Sequence, residues 1–344
     1  MLSKETPGMK EVAKLSGVSV ATVSYVLNGT QPVAQATRER VLQAVKELHY
    51  RPNLMARGLK TNKTGMVGVL IPDLYSSYFS HLLLNVEDAL YQAGYQMLVC
   101  SSQGILEREE RFLASLTHQM EGLIVAPAEP ATSRLLADWE RTSRPLVFVD
   151  RKPSPVDLAP YVTSDNESAG AAVFQHLQRR YEQLAAISPY PAQGVVQERL
   201  AGFMSAAIRG GVTPLTCFSA QETRRNAGRT QMECLLRKRS GTLGVFCTTN
   251  AAAIGCVSLL KAEGVEIGSD VGVIGYDDSD WMLLSQPTIS AVRTDPELIG
   301  RRAARILLDL LAGRAPAASS QTAAQLIVRE SSLLPNDPSR GDDW

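Results

Sequence analysis

The chain has 344 residues, of which 44% are hydrophobic and 20% are charged, and it carries no net charge at pH 7. That composition is typical of a globular protein with more than one domain and argues against a disordered chain. Its apolar runs stay shorter than the roughly 18 residues of a membrane-spanning helix, and residues 1–8 lack the apolar stretch of a signal peptide. We therefore expect a cytoplasmic protein without membrane contact.

The charges are unevenly distributed, since residues 1–64 contain ten Lys and Arg against four Asp and Glu. A basic N-terminal segment joined to an acidic remainder indicates that this end of the chain meets a polyanion. The five cysteines are widely spaced and form no CxxC pair. We expect them to be buried, reduced thiols.

The N-terminal segment predicts three short helices. The first begins at Met9 and ends at Gly17, the second covers residues 20–27 with Ser19 as its N-cap, and the third covers residues 35–48. Two short helices joined by a tight turn and packed against a third form a helix-turn-helix unit, whose second helix suits the major groove of DNA. A three-helix cap without a nucleic-acid role is the alternative.

The run MKEVAKLSGVSVATVSYVLNG, followed by VAQATRERVLQAVKELHYRPNLMARGL, resembles the DNA-binding headpiece of the LacI/GalR family of repressors over residues 9–60. The resemblance implies that the second helix reads an operator in double-stranded DNA, with Val20 and Ala21 at the specificity positions. Tyr25 stands where many members have arginine, so the operator preference should differ from theirs. The DNA-contacting residues implied for this helix are Ser19, Val20, Ala21, Thr22, Ser24, Tyr25 and Asn28.

Residues 51–64 match the family's hinge helix and linker, which in relatives folds in the minor groove when two subunits lie side by side. The resemblance implies a homodimer on a pseudo-palindromic operator, with Leu59 wedged into a base step; an ordinary linker leucine is the alternative. The DNA-contacting residues implied for the hinge are Asn53, Ala56, Arg57 and Leu59. Residues 333–344 are expected to form a flexible tail, which lacks the leucine heptads that join dimers into tetramers.

Beyond residue 64, apolar runs alternate with amphipathic helical patterns. The predicted strands lie at 66–71, 96–100, 122–126, 145–150, 184–187, 243–247 and 271–275. The predicted helices lie at 79–93, 106–119, 169–179, 199–209, 251–263 and 296–311. This alternation predicts an α/β core of parallel sheets covered on both faces.

Two doubly wound lobes fit this core better than one sheet, with a ligand cleft at the carboxyl ends of the strands. The expected limits are 65–158 with 292–318 for the first lobe and 159–291 with 319–332 for the second. More loosely than the headpiece, the body resembles the periplasmic-binding-protein-like core of the same family. The motifs that carry this resemblance are RLAGF at 199–203, GYDD at 275–278 and VRESS at 328–332.

The second resemblance implies a set of effector-binding residues at the ends of strands. They are Ser76, Tyr78, Phe79, Asp150, Arg151, Arg199, Thr249, Asn250, Tyr276, Asp277 and Arg293. Arg199 and Asp277 are the strongest candidates, and a structural salt bridge is the alternative for them. Tyr78 and Phe79 open a helix, so a place in the hydrophobic core is the alternative for these two aromatic residues.

Groups of these types suit a sugar-like effector, because planar charged or amide groups bind hydroxyls and aromatic faces cover C–H patches. Arg293 stands where many relatives have glutamine. With Arg151 and Arg199 it gives three guanidinium groups against two carboxylates, which favours a sugar acid or sugar phosphate. The sequence leaves open whether the effector acts as inducer or corepressor.

An enzyme is the first alternative function, because doubly wound sheets host many catalysts. The sequence has no GxGxxG after the first strand, no P-loop, no GxSxG and no HExxH, and its four histidines are scattered. We therefore expect no catalytic residue, cofactor or metal. A periplasmic transport receptor, the second alternative, would need a signal peptide and no headpiece. The sequence thus predicts an allosteric transcriptional repressor of carbohydrate metabolism genes.

Overall fold

The computed structural model describes residues 7–50, 64–116, 119–128, 136, 138–139, 144–152, 159–189, 194–217 and 224–334. The chain divides into two compact units, Met1–Thr64 and Gly65–Trp344. The predicted hinge, apart from its last residue, and the predicted tail beyond residue 334 lie outside the described residues.

The first unit contains three helices where the sequence predicts them: α1 (Met9–Ser16), α2 (Val20–Asn28) and α3 (Gln35–Glu47). Gly17 ends α1 in the left-handed conformation that favours glycine. Ala34 precedes α3 and gives it no side-chain cap. The helices enclose a small apolar core made of Val12, Ala13, Val23, Val26, Val41 and Ala44.

The second unit is an alternation of strands and helices. Its strands are β1 (Met66–Ile71), β2 (Gln96–Ser101), β3 (Gly122–Val125), β4 (Leu146–Val149), β5 (Tyr161–Ser164), β6 (Gln183–Ile187), β7 (Leu243–Cys247), β8 (Val271–Tyr276), β9 (Ser290–Arg293), β10 (Ser320–Thr322) and β11 (Gln325–Ile327). Its helices are α4 (Ser77–Gln92), α5 (Leu106–Leu116), α6 (Asn166–Leu177), α7 (Val195–Arg209), α8 (Arg224–Lys238), α9 (Asn250–Ala262), α10 (Asp280–Leu284) and α11 (Pro296–Leu311), followed by a 3-10 turn at Glu330–Ser332.

These strands form two sheets, as the sequence predicts. The first has the order β10-β5-β4-β3-β1-β2 and is parallel throughout; the second has the order β11-β9-β8-β7-β6 and is parallel except for β11. The central strands are buried apolar runs because helices cover both faces of each sheet. We call the body around the first sheet lobe 1 and the body around the second sheet lobe 2.

The limits of the lobes differ from those expected. Strand β5 and strand β10 both belong to the first sheet, whereas the sequence assigned residues 159–164 and 319–322 to lobe 2. Strand β9 pairs with β8 as far as Val292, so residues 292–293 belong to lobe 2. The short β5 and β10 carry no apolar run, and only pairing with distant strands assigns them to a sheet. The chain crosses between lobes after β5, β9 and β10.

The cysteine expectation is wrong for one pair, because Cys217 and Cys234 form a disulfide. Cys234 lies on α8, a helix that the sequence did not predict because its residues are mostly polar. Folding brings the two Cα atoms to 6.2 Å, a distance that a disulfide spans. Cys100, Cys247 and Cys256 are free thiols.

None of the helices in the described part of the chain is both long and apolar enough to cross a membrane.

Helices α6 and α7 pack backbone to backbone, and this contact places the start of α6 beside Arg199. Gly170 of α6 lies on the carbonyl of Arg199, and Gly202 of α7 lies on the carbonyl of Glu167. A Cβ atom at either glycine would overlap that carbonyl, so both positions require glycine. The close approach of α6 and α7 depends on the absence of a side chain at each glycine rather than on backbone flexibility.

We expect Gly202→Ala to lower the free energy of unfolding by about 3 kcal/mol, because the added methyl group forces α6 and α7 apart. Alanine has the higher helix propensity, so an effect on the helix alone would have the opposite sign. Urea denaturation measures the difference. The control is the exposed neighbour, Ala201→Gly, which should cost about 1 kcal/mol or less; a Gly202→Ala variant as stable as the wild type would contradict the packing argument.

Candidate functional site

Two aspartates stand at equivalent places in the two sheets. Asp150 follows β4 of the first sheet, and Asp277 follows β8 of the second. Their φ angles are 65° and 73°, in the left-handed region that residues with a side chain rarely adopt. Each amide is nonetheless fixed by a backbone hydrogen bond, to Val162 O at 3.1 Å and Val292 O at 2.9 Å. Backbone strain of this kind concentrates at functional sites.

Arg199, on the second turn of α7, lies between the two aspartates and is 6% exposed. Its Nε donates to Asn166 Oδ1 at 2.9 Å, and its Nη1 donates to the Thr248 carbonyl at 3.0 Å. Its guanidinium carbon lies 3.4 Å from the centroid of the Tyr276 ring. The Tyr276 hydroxyl donates to the same Asn166 oxygen at 2.9 Å. The arginine is therefore held by two hydrogen bonds and an aromatic face.

The pKa shifts show that these groups form one electrostatic unit. Burial acts against the charge of Arg199, but Tyr276, Asp277 and Asp150 favour that charge and leave its pKa raised. Burial also raises the pKa of Asp277, with Arg199 acting in the opposite direction and Asp150 adding to the rise. Burial raises the pKa of Tyr276 to about 12, again opposed by Arg199. We call Tyr78, Asp150, Arg199, Tyr276 and Asp277 the interlobe site.

Tyr78 joins the site from lobe 1. Burial raises its pKa well above the usual value, and the charges of Asp150 and Asp277 raise it further. Its ring packs edge to face against Phe79, with 5.0 Å between centroids. Both rings belong to the core beneath the first sheet, which is the alternative that the sequence left open for Phe79. Ser76 is half-buried and precedes α4.

One carboxylate oxygen of the site has no hydrogen-bond donor. Asp277 Oδ1 is buried and has no partner among the described residues. Buried polar atoms are normally hydrogen-bonded, so this oxygen is available to a donor that the described residues do not supply. A hydroxyl group of a bound molecule would supply it.

The next two predicted residues, Thr249 and Asn250, begin α9. The Thr249 hydroxyl accepts from the Ala252 amide at 3.2 Å and caps the helix. Asn250 Oδ1 accepts from the indole nitrogen of Trp281 at 2.8 Å. Both side chains therefore already have a hydrogen-bond partner within lobe 2.

One of the three arginines that the sequence assigned to the site is paired with a carboxylate outside it. Arg293 binds Asp278, with its Nε 2.7 Å from Oδ2, and it is half exposed. Arg151 directs Nη1 to the carbonyls of Pro127 and Ala128, at 2.7 and 2.5 Å. Arg151 Nε also lies 3.6 Å from Asp150 Oδ2, so both Arg151 and Arg199 lie near carboxylates of the site. The sugar acid or sugar phosphate expected from the sequence stays a prediction.

Sequence reasoning missed Asn166, Thr248, Trp281 and the pair formed by Asp278 and Arg329. Asp278 accepts from Arg329 Nη1 at 2.6 Å as well as from Arg293. Asn166 comes two residues after the end of β5, a strand-end position like that of Asp150, which the family resemblance implied. The partner of Asp278 lies 51 positions along the chain, and no local signal indicates it.

The first unit presents the surface predicted to contact DNA. Ser19 caps α2 by accepting from the Thr22 amide at 3.1 Å. Ser19, Val20 and Ala21 are exposed, and Thr22, Ser24 and Tyr25 are half-buried. The side chain of Asn28 and the hinge residues Asn53, Ala56, Arg57 and Leu59 lie outside the described residues.

Over the part of the chain that the structure describes, no group of three or more His, Cys, Asp or Glu side chains is placed to hold a metal ion.

Two family models match the chain. The model for bacterial regulatory proteins of the lacI family matches residues 8–53, and the model for a periplasmic binding protein-like domain matches residues 173–332. Together they cover the DNA-binding unit and most of lobe 2.

Curated relatives match over nearly the whole chain. The HTH-type transcriptional repressor PurR of Aliivibrio salmonicida is 28% identical over 305 residues, which cover 88% of this chain and 91% of the relative. The HTH-type transcriptional repressor PurR of Edwardsiella ictaluri is 29% identical over 327 residues, 94% of this chain and 96% of the relative.

Solved structures show the same architecture. A complex of the transcriptional regulator CelR with cellobiose matches with a TM-score of 0.70 and 27% identity, over 94% of this chain and 99% of that one. A lac repressor dimer bound to operator and the anti-inducer ONPF matches with a TM-score of 0.82 and 24% identity, over 96% and 100%.

We expect Asp278→Asn to lower the free energy of unfolding by about 3 kcal/mol at pH 7, because two guanidinium groups lose their carboxylate. Arg329 and Arg293 overcome the effect of burial and lower the pKa of Asp278 in the folded state. The unfolded chain therefore takes up the proton first as the pH falls, and the stabilisation is lost as the pH drops through the lowered folded pKa.

Urea denaturation of wild type and Asp278→Asn at pH 7 and pH 3 measures this effect, and the difference between the two proteins should shrink at pH 3. Asp309→Asn is the control, since its carboxylate pairs with Arg314 and Arg305 at the surface. That change should alter stability little at either pH. An equal effect of the two substitutions would contradict the buried pair.

Proposed function

We propose that the chain is a DNA-binding transcriptional repressor of the LacI family of bacterial regulatory proteins, and that a neutral, hydroxyl-rich molecule controls its affinity for operator DNA. The effector is a sugar bound at the interlobe site. The regulated genes belong to carbohydrate metabolism, and the protein acts in the cytoplasm, where bacterial operators are found.

The proposed DNA-reading element is α2. Its first residues are exposed and small, and the amide groups at a helix start face phosphate favourably. Val20 is 42% exposed although it is apolar, which suits contact with a thymine methyl group in the major groove. A homodimer places two such helices on the halves of a pseudo-palindromic operator.

The proposed hinge covers residues 51–64 and connects the headpiece to an effector-binding core that ends near residue 332. In a dimer the two hinges lie together in the minor groove, and Leu59 enters a base step. The phosphate contacts of Asn53, Ala56 and Arg57 position the hinge.

The observation that carries the effector proposal is the single buried Arg199 between two aspartates, one of which has an oxygen without a donor. The two carboxylates are matched by two cations, Arg199 and Arg151, whose Nε lies 3.6 Å from Asp150 Oδ2, so a neutral molecule keeps the charge of the site balanced. Hydroxyl groups can donate to Asp277 and accept from Arg199, and the aromatic rings offer apolar faces. The CelR relative, which is 27% identical, is solved with cellobiose, a neutral sugar, and this supports the same ligand class here.

The proposed effector controls the affinity for DNA by changing the angle between the lobes. Asp150 and Tyr78 belong to lobe 1, whereas Arg199, Tyr276 and Asp277 belong to lobe 2, so a bound sugar favours one angle between the lobes. The two lobe 1 bodies of the dimer then move relative to each other and change the stability of the paired hinges. A coupling free energy of about 1 to 3 kcal/mol is typical of such linkage.

We expect Ala21→Glu to weaken operator binding by about a hundredfold or more, because a carboxylate then faces the polyanionic duplex. The measurement is fluorescence anisotropy with a duplex that wild-type protein selects from a random pool. Ala114→Glu adds the same charge at an exposed position on α5 and should leave the affinity unchanged. Equal affinities for the two variants would argue against α2 as the reading helix.

For the effector, titration calorimetry of the full-length chain should show tighter binding of a neutral sugar than of its acidic counterpart. The matched sets are cellobiose with cellobionate, and glucose with gluconate and glucose 6-phosphate. Arg199→Gln should reduce affinity for the bound neutral sugar by roughly a hundredfold and Asp277→Asn by about tenfold. Arg301→Gln, an exposed arginine on α11, is the control; binding of the acids alone would refute the neutral class.

A further inference from the structure

We propose that Asn166 is the positioning residue of the interlobe site. Its side chain orients Arg199 and Tyr276 and links both by hydrogen bonds to the first crossover between the lobes, where β5 leads into α6. This inference rests on the proposed function of the site and deepens it. Asn166 itself is 1% exposed and does not need to touch the effector.

The oxygen of the Asn166 carboxamide accepts hydrogen bonds from two groups of the interlobe site. Asn166 Oδ1 accepts from Arg199 Nε at 2.9 Å and from the Tyr276 hydroxyl at 2.9 Å. A carbonyl oxygen has two lone pairs, so both are in use. Because the guanidinium also lies on the Tyr276 ring, the shared acceptor fixes the lateral position of one group over the other. Loss of this atom would leave two buried donors without an acceptor.

The nitrogen of the Asn166 carboxamide donates hydrogen bonds at the crossover between the lobes. Asn166 Nδ2 donates to the carbonyl of Ser164, the last residue of β5, at 3.1 Å. It also donates to Glu198 Oε2 at 3.0 Å, and Glu198 Oε1 lies 3.6 Å from the Lys152 ammonium group, two residues beyond Asp150. One side chain thus links the end of a lobe 1 strand with three residues of lobe 2: Glu198, Arg199 and Tyr276.

Only a carboxamide can make this set of bonds. A carboxylate offers the same acceptor but no hydrogen for Ser164 or Glu198, and an aliphatic side chain offers neither. Two substitutions therefore separate the halves. Asn166→Asp keeps the acceptor and loses the donor, and Asn166→Leu loses both with the same branching at Cγ.

The matched control is Asn85 on α4. It is half-buried, and its Oδ1 accepts from Arg301 Nη1 at 2.9 Å. Asn85→Leu thus removes an arginine contact of the same chemical kind far from the interlobe site. It should leave every signal described below unchanged except that of Arg301.

The test uses NMR of the full-length protein with 15N-labelled arginine and no sugar added. The Arg199 Nε–Hε signal, assigned by its disappearance in Arg199→Lys, should be shielded by the Tyr276 ring and exchange slowly with solvent. It should keep this shift in Asn166→Asp and lose both the shift and the slow exchange in Asn166→Leu.

The second readout is exchange of the Asp165 amide, which donates to Thr322 O at 2.9 Å at the crossover. Both Asn166 variants should accelerate it by about five- to tenfold, as expected for one lost hydrogen bond. A wild-type Arg199 signal in folded Asn166→Leu, its loss in folded Asn166→Asp, or an unchanged Asp165 amide in Asn166→Asp would each overturn the proposal.

If Asn166→Leu does not fold, the two readouts on Asn166→Asp decide the matter. No sugar enters these measurements, so a failure of the calorimetric test would refute the effector class without affecting the role of Asn166.

Discussion

The structure of the site depends on one buried guanidinium group. Placing Arg199 in the interior costs several kcal/mol of solvation, which only close partners can offset. The protein supplies the Asn166 oxygen, the Thr248 carbonyl and the Tyr276 ring, with two carboxylates nearby. The fold around the site is what brings these partners together. The glycine contact between α6 and α7 positions Asn166 beside Arg199, and the end of β8 positions Tyr276.

The two aspartates show how a pair of parallel sheets forms a site that responds to ligand. Each follows the carboxyl end of a central strand, and each adopts a left-handed backbone conformation. Equivalent positions in two sheets therefore face a common space from opposite sides. A molecule that binds both aspartates contacts both lobes, so its binding energy depends on the angle between them. The proposed coupling between binding of a small molecule and movement of the lobes rests on this geometry.

The hydrogen bonds and ion pairs of the arginines decide how much positive charge lies at the interlobe site. Asp278, next to Asp277, binds Arg293 and Arg329, whereas Arg151 binds backbone carbonyls and lies beside Asp150. A count of charged residues near strand ends cannot show this, because an arginine side chain can reach several partners. The proposal of a neutral effector rests on these contacts.

The family resemblance implied Asp150, Arg199 and Asp277, and the sequence by itself determined the headpiece helices and most central strands. These features are local: caps and turns lie within a few residues of the helices they bound, and a buried strand is a continuous apolar run. Only the tertiary structure decided the rest. Strand β10 joins the first sheet because Ser320 pairs with Val162. Likewise, the disulfide, the partners of Asp278 and the four hydrogen bonds of Asn166 join residues whose proximity the fold creates, and no periodicity or motif in the sequence records such contacts.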